Sequence, residues 1–397
     1  MDTTASFESK LIEVISEDIL NKLNLAYFTD TPHLVGIGSR MEELNYYLHR
    51  DSNDVCMIGI CGIGGIGKTT IAQFIYDLLK GNFEGSCFLG NVRERAQQAN
   101  GLIKLQEEIL SSVSVNKKFG HVDEGTTAII DSIKCKKVLF VLDDVDDLKQ
   151  LHTLAIRHDS FQPGSRIIIT TRDEHLLFEA MVDLIYKLPA LNYEESLLLF
   201  SWHAFGKFHP DESYVELSKE VLYYARGLPL VLKVLGSCLF GKSALEWKSA
   251  LKELKESHYE IFETLKVSFH LLSDKQKKLF LKIALYFIGK EKNYTLRLLQ
   301  DSDISLESEL RVLGRRCLVA VDCSNRLTMH DIIKEMGREI VHRQSFEEPG
   351  EYSGLWSHED GFGVSKYHMV RIRHFPNYLK KKKKKKKTFL YKQKFGQ

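Results

Sequence analysis

The sequence predicts a doubly wound α/β domain with a parallel sheet, followed by a helical bundle and a winged-helix domain. Three observations carry this. Short, near-continuously apolar runs alternate with helical stretches; a glycine-rich turn, CGIGGIGKTT, joins the first such run to a helix; and beyond residue 188 amphipathic helices take over.

The elements follow in order. Residues 7–23 place Leu11, Ile12, Ile15, Ile19 and Leu23 at helical spacing, and the polar break FTDTPH with Pro32 ends that helix, so 1–33 reads as an amphipathic linker helix. VCMIGI (55–60) enters the glycine turn and TIAQFIYDLL leaves it as a helix. CFLGNV (87–92), VLFVLDDV (Val138–Val145) and RIIITT (Arg166–Thr171) are three further strands, apolar on both faces as strands inside a parallel sheet should be. The α/β domain spans 34–188. YEESLLLFSWHAF, YVELSKEVLYYARGL and LEWKSALKELK are amphipathic, with short connections, and make 189–257 a helical domain. A further helical group over 258–345 ends in a short strand pair and a helix, the pattern of a winged helix. Residues 346–397 read as a linker remnant and a basic, disordered tail in which 380–387 are all lysine. A nuclear-localisation or nucleic-acid patch is the other reading of that run.

Composition narrows the class. The 397 residues are 44% apolar and 27% charged, ordinary for a globular protein. The net charge of +2 hides a division: residues 359–397 hold 13 Lys/Arg against 2 acids, and the remainder 42 against 51. An acidic body does not suggest a nucleic-acid partner. Seven cysteines without paired spacing, and an N-terminus without an apolar core, fit a reducing compartment. The longest apolar run, GLPLVLKVLGSCLFG, is too short for a bilayer and contains a lysine. The expectation is a cytoplasmic protein without a membrane partner, the nucleus being a second compartment.

The glycine turn carries the chemistry. Gly62, Gly64, Gly65, Ile66, Gly67, Lys68, Thr69 and Thr70 fit the pattern Gly-x4-Gly-Lys-Thr, a P-loop, so the α/β unit reads as a P-loop NTPase domain. Glycines let successive backbone N–H groups converge on a β-phosphate, and the following helix presents its positive end. Lys68 would bridge β- and γ-phosphates and the Thr69 hydroxyl would ligate Mg²⁺. Asp143, ending the strand VLFVLDDV, would hold Mg²⁺ through a water, and Asp144 would polarise an attacking water. Arg172, after the next strand, can point at a γ-phosphate. The ligand expected is ADP or ATP with Mg²⁺.

GICGIGGIGKTTIA, CFLGNVRE, KKVLFVLDDVDD, GSRIIITTRD, YKLPALNYEESLLLFSWHAF, GLPL, FLKIALYFIGK and MHD occur in this order. Together they resemble the nucleotide-binding switch region (NB-ARC) of plant intracellular immune receptors with leucine-rich repeats, in the subclass that carries an N-terminal TIR domain. The resemblance implies further roles. Val35, in Leu34-Val35-Gly36, would border the adenine; Pro229 of GLPL would pack on the base; His330 of MHD would reach the β-phosphate of ADP; Arg172 would sense the γ-phosphate. Read alone, MHD would suggest only a helix cap at Asp331. The sequence also departs from the family. It opens in the linker after the TIR position, lacks the repeats, and after GLWSHEDGFGV continues into unrelated residues, the pattern of a truncated form. FLKIALYFIGK has Lys282 in place of an acid and an unusual Leu285-Tyr286.

The resemblance implies an ADP/ATP switch of plant defence rather than a fast enzyme, since Asp144 is a shorter acid than the glutamate of fast ATPases. At most a slow ATPase is expected. The chain would act as an adaptor or decoy, pairing with full-length immune receptors of the same class; a stand-alone ATPase and a non-signalling truncated product are the alternatives.

Overall fold

A computed structural model describes residues 34–49, 54–115, 117–256, 261–299 and 306–347. The linker helix expected over 7–23 and the basic tail beyond 347 lie outside the described residues.

Five parallel strands form the first unit: β1 (Cys56–Cys61), β2 (Gly85–Leu89), β3 (Val138–Val145), β4 (Arg166–Thr171) and β5 (Leu184–Lys187), in the order β2-β3-β4-β1-β5. β1, β3 and β4 are almost wholly buried, which explains their near-continuous apolar sequences. Alternate residues feed opposite sides of the sheet. Ile58 and Ile60 join one core; Met57 and Cys61 join the other. β2 alternates buried and half-buried positions, as an edge strand should, and ends at Leu89 rather than at residue 92. Asn91, at φ 51°, turns the chain there into the helix Val92–Ala96. The sequence reading names no strand at β5, whose four residues are only partly buried and give a weak apolar signal.

β1 connects across the sheet to β2 while its neighbour β4 connects past it to β5, so these adjacent strands send their connections in opposite directions and a crevice forms at the carboxyl end of β1. The glycine turn occupies that end and leads into the helix Lys68–Leu79.

After β5 the strands give way to helices. Tyr193–Phe205 starts with a reciprocal capping box between Asn192 and Glu195 and stops at the left-handed Gly206. Val215–Ala225, Pro229–Leu239 and Ala244–Glu256 complete a bundle around Trp247. That ring is 1% exposed, lies 5.8 Å from Phe200, 5.6 Å from Phe205 and 5.0 Å from Tyr214, and donates its N–H to the Leu239 carbonyl at 3.1 Å.

Ile261–His270, Asp274–Lys282, Lys292–Leu299 and Leu306–Arg315 precede an antiparallel pair, β6 (Ala320–Val321) with β7 (Leu327–Thr328), and the helix Asp331–Glu347. The unusual stretch Ile283–Phe287 is a π-helical turn; Ile283, Ala284 and Phe287 are buried, and Leu285 and Tyr286 pack against the same core. Its wide turn is accommodated by Gly337, where a β-carbon would stand 2.8 Å from that of Ala284. One continuous apolar core runs from the sheet through the bundle into this last unit. Among the described residues, no helix is long and apolar enough to cross a membrane.

Candidate nucleotide site

The glycine turn has the backbone that a phosphate cradle needs. Gly62, Gly65 and Gly67 take φ values of 154°, 78° and 105°, a region closed to most side chains. A β-carbon on Gly67 would meet nothing within 4 Å, so the space before the Lys68–Leu79 helix is open. Ile66 anchors the turn in the core at 6% exposure, and Thr70 belongs to the first turn of the helix. Lys68 donates its Nζ to the carbonyls of Gly62 at 2.7 Å and Ile63 at 3.1 Å. Burial, with Arg172 nearby, pushes its ammonium down to about 8.

The two carboxylates expected at the end of β3 have different surroundings. A register shift between Leu142 and Val145 breaks the β3–β4 ladder, and Asp144 there takes φ 57°. Its N–H donates to the Thr170 hydroxyl at 2.9 Å. Asp143 is 2% exposed and accepts from Thr69 Oγ1 at 2.8 Å and from Thr170 Oγ1 at 2.7 Å. Burial raises its pKa, against the two hydroxyl bonds. Asp144 instead faces two guanidiniums: Arg93 Nε at 2.8 Å and Arg172 Nε at 3.3 Å. A carboxylate held on both sides is poorly free to polarise water.

These residues fit a phosphate chain and its divalent cation. The space at Gly67 is open, and the Thr69 hydroxyl and Asp143 carboxylate are adjacent. Among the described residues, no group of three His, Cys, Asp or Glu could hold a metal alone, so waters and phosphate oxygens would complete the shell.

Two other units reach this cradle. The Leu230 N–H donates to the Gly65 carbonyl at 3.2 Å, and its side chain lies where a β-carbon on Gly65 would stand. Pro229, half-buried, is the first residue of that helix, where it needs no N–H partner. From the winged helix, Ile332 packs over Gly64. Asp331 pairs with Arg93, with Arg172 Nη2 at 2.8 Å and, more loosely, with Lys334 at 3.6 Å, while Lys334 also pairs with Glu94. Burial alone would raise the Asp331 carboxyl, but Lys334, Arg93 and Arg172 together hold it below the usual carboxylate range.

His330 lies close enough to Lys68 and Arg172 for their charges to act on it. Its surface is exposed, yet protein surrounds most of the ring, and that desolvation, with Arg172, Lys68 and Lys233 adding repulsion against Asp331, pushes its imidazole down to about 4. The Ile332 N–H donates to Nδ1 at 3.3 Å, which leaves the proton of the neutral ring on Nε2.

On the far flank, Val35 is buried at 8% exposure, and Gly36 accepts a hydrogen bond from Arg40. Arg40 reaches the carbonyl of Ala190 at 3.1 Å and pairs with Glu195 at 3.0 Å, tying the Val35 segment to the bundle. The structure therefore gathers the P-loop residues, Asp143, Asp144, Arg172 and His330, and places Val35 and Pro229 on elements that dock beside them. Sequence reasoning assigned no role to Arg93, Thr170, Leu230 or Ile332. Arg93 stands inside the quoted CFLGNVRE, but nothing in its spacing tells where its guanidinium goes.

Two family models match parts of the chain. Residues 38–209 match the NB-ARC domain, and 273–345 match the winged-helix domain of Roq1-like disease resistance proteins. The disease resistance protein RUN1 of Vitis rotundifolia is 39% identical over 88% of this chain and 26% of its own length. The TMV resistance protein N of Nicotiana glutinosa is 40% identical over 89% of this chain and 31% of its own. The chain thus spans about a quarter to a third of these relatives. A STAND-class signal transduction ATPase with a tetratricopeptide repeat sensor, from Pyrococcus horikoshii, superposes over 78% of this chain and 43% of its own, with a TM-score of 0.46 at 18% identity.

Proposed function

Since the chain belongs to the NB-ARC family, with the winged helix of Roq1-like plant disease resistance proteins behind its nucleotide-binding domain, we propose that it is an ADP/ATP-binding molecular switch of plant innate immunity. The observation that carries this reading is the meeting of three units on one P-loop. Leu230 bonds to Gly65, Ile332 covers Gly64, and Asp331 reaches both arginines of the sheet edge. A nucleotide in such a place contacts all three units and biases how they close.

The site residues then take these roles. Gly62, Gly64, Gly65, Gly67 and Thr70 wrap the phosphates through their backbone, Lys68 bridges β- and γ-oxygens, and Thr69 with Asp143 holds Mg²⁺. Val35 and Pro229 border the base, and Ile66 holds the loop that wraps the phosphates. His330, neutral with its proton on Nε2, donates to the β-phosphate of ADP. Mg²⁺ supplies charge neutralisation between the phosphates.

Turnover is the weaker use of this geometry, because Asp144 is engaged by Arg93 and Arg172. Any hydrolysis is slow. A stand-alone ATPase would need Asp144 released without a partner. A nucleotide at a thousand times its Kd stabilises its preferred state by about 4 kcal/mol, and full reversal needs about 5.5 kcal/mol of differential affinity. Nucleotide therefore biases the switch and a second input completes it. Full-length receptors of the same class, in the cytoplasm, are the partners this reading implies, with the chain as adaptor or decoy.

The test is to purify the full chain, denature it and identify the released nucleotide by chromatography. Near-stoichiometric ADP supports the closed switch. An empty protein, or rapid multiple turnover of ATP without a partner, refutes it.

A further inference from the structure

Cys317 lies just after the helix Leu306–Arg315 of the winged-helix unit, in a left-handed turn at φ 56°. Its sulfur is 3.3 Å from the Ser237 hydroxyl, and that hydroxyl is 3.2 Å from Nδ1 of His203. A thiol, a hydroxyl and an imidazole from three separate elements thus form one hydrogen-bonded chain. Close packing of the helices Pro229–Leu239 and Tyr193–Phe205 brings them together: a β-carbon on Gly236 would stand 2.8 Å from that of His203. Cys238 is the next residue after Ser237 and is buried at 1% exposure, whereas Cys317 is half-buried and open to small solutes.

The chain is a proton path. With the thiol donating to Ser237 and Ser237 donating to a neutral His203, the thiol proton can pass to the imidazole; the reversed set of donors then holds a thiolate. A thiolate is the form that attacks electrophiles, and a neighbouring cation favours it. Arg316 supplies that cation. It precedes Cys317, donates to the Leu271 carbonyl at 2.9 Å, and its charge acts on the Cys238 sulfur, as does that of Cys317. The two sulfurs are therefore near each other. Consecutive residues have Cα atoms about 3.8 Å apart, so the sulfur beside Ser237 needs a small shift to meet Cys238. Burial pushes the Cys238 thiol up to about 12, which keeps it protonated and leaves Cys317 as the first to react.

We propose that Cys317 is a peroxide-reactive thiol, positioned and activated by Ser237 and His203, with Cys238 as its resolving partner. The Cys317 thiolate attacks one oxygen of hydrogen peroxide, so an S–O bond forms and the O–O bond breaks. The sulfur loses two electrons, and the hydroxide released takes the proton held on His203 and leaves as water. The Cys238 thiol then displaces hydroxide from the sulfenic acid. Its proton leaves with that hydroxide as a second water, and an S–S bond joins residues 238 and 317. Small-molecule thiols reverse the bridge by exchange. The bridge ties the winged helix covalently to the bundle. Resting on the switch reading above, it holds the three units closed around their nucleotide for as long as the oxidant persists.

The experiment treats the reduced full chain with hydrogen peroxide, traps sulfenic acid with dimedone, and locates both adducts and bridges by peptide mass spectrometry. In a Cys238→Ser chain, dimedone should label Cys317 about tenfold faster than the exposed Cys135 and Cys323. In that background Ser237→Ala should remove the advantage at Cys317 and leave Cys135 and Cys323 unchanged, while Ser237→Thr, which keeps the hydroxyl, should restore most of it. The wild type should instead give the 238–317 bridge, and should then release bound nucleotide about tenfold more slowly than the same chain reduced with dithiothreitol. Cys317 labelled no faster than Cys135 and Cys323, or a bridge between other cysteines, would overturn the proposal. Ser237→Ala labelled as fast as its parent would overturn the proton path, and a bridge without effect on nucleotide release would overturn the lock. A chain that binds no nucleotide yet forms the bridge would refute the switch reading and support the thiol chemistry.

Discussion

Ile332 lies directly over Gly64: its Cδ1 atom is 2.7 Å, and its Cγ1 atom 3.1 Å, from where a β-carbon on that glycine would stand. The glycine is thus a docking surface for the winged helix as well as part of a phosphate cradle. Gly64→Ala should destabilise the nucleotide-free chain by about 1–2 kcal/mol through overpacking, and Ile332→Val by about 1 kcal/mol through lost packing. In combination they should cost less than their sum, because the valine removes the atom that the alanine meets. Denaturant melts without nucleotide check this; simple additivity would show that the winged helix does not press on the P-loop.

Arg40 is buried and Glu195 half-buried, and Arg40 also binds the Gly36 carbonyl. Arg40→Ala removes the charged partner of that carboxylate and should cost about 1.5–3 kcal/mol. Burial would raise the Glu195 carboxyl, but its bonds from Arg40 and the Asn192 backbone outweigh that and lower it. Its contribution is therefore present above the unfolded carboxylate pKa and fades as pH falls through the lower folded value. Equilibrium unfolding of Arg40→Ala, compared with wild type from pH 7 down to acid, should show the gap narrowing only at the acid end.

Lys68 places its ammonium against two loop carbonyls. A guanidinium is too wide for that position and points its donors in a fixed plane. Lys68→Arg should therefore remove detectable nucleotide binding and, because Lys68 is buried, should also cost the nucleotide-free protein about 1–3 kcal/mol through overpacking. Calorimetric titration with ADP tests it, and retained binding would take Lys68 out of its phosphate-bridging role.

His330 is held down to about 4 from an ordinary value of 6.5. Below 6.5 the unfolded chain binds a proton that the folded chain refuses, so this residue costs stability progressively as pH falls from 6.5 toward 4 and nothing more below that. His330→Gln should be less sensitive across that window. The comparison is the difference between the two pH–stability curves, which cancels the carboxylates common to both; parallel curves would place the imidazole in water.

Much of this was legible in the chain because local physics wrote it there. β1, β3 and β4 are buried on both faces, so their sequences had to be continuously apolar. The glycines at 62, 65 and 67 had to be glycines because the backbone there is left-handed. The helix Tyr193–Phe205 was legible as an amphipathic stretch, whereas its capping box came only from the structure. β5 escaped because four residues, of which only Tyr186 is buried, carry too little pattern.

The sequence by itself determined the elements, the phosphate-binding turn and the acids that follow β3, since each depends on residues close together in the chain. Which charges face one another was decided only by the tertiary structure. Asp331 meets Arg93 across 238 positions, and Leu230 finds Gly65 only after two units have docked. Hydrophobic periodicity fixes which face of an element is buried, but it carries no information on the partner of a long charged side chain. That partner is set by how a strand order, a bulge at Asp144 and a short turn at Asn91 aim their side chains into one crevice.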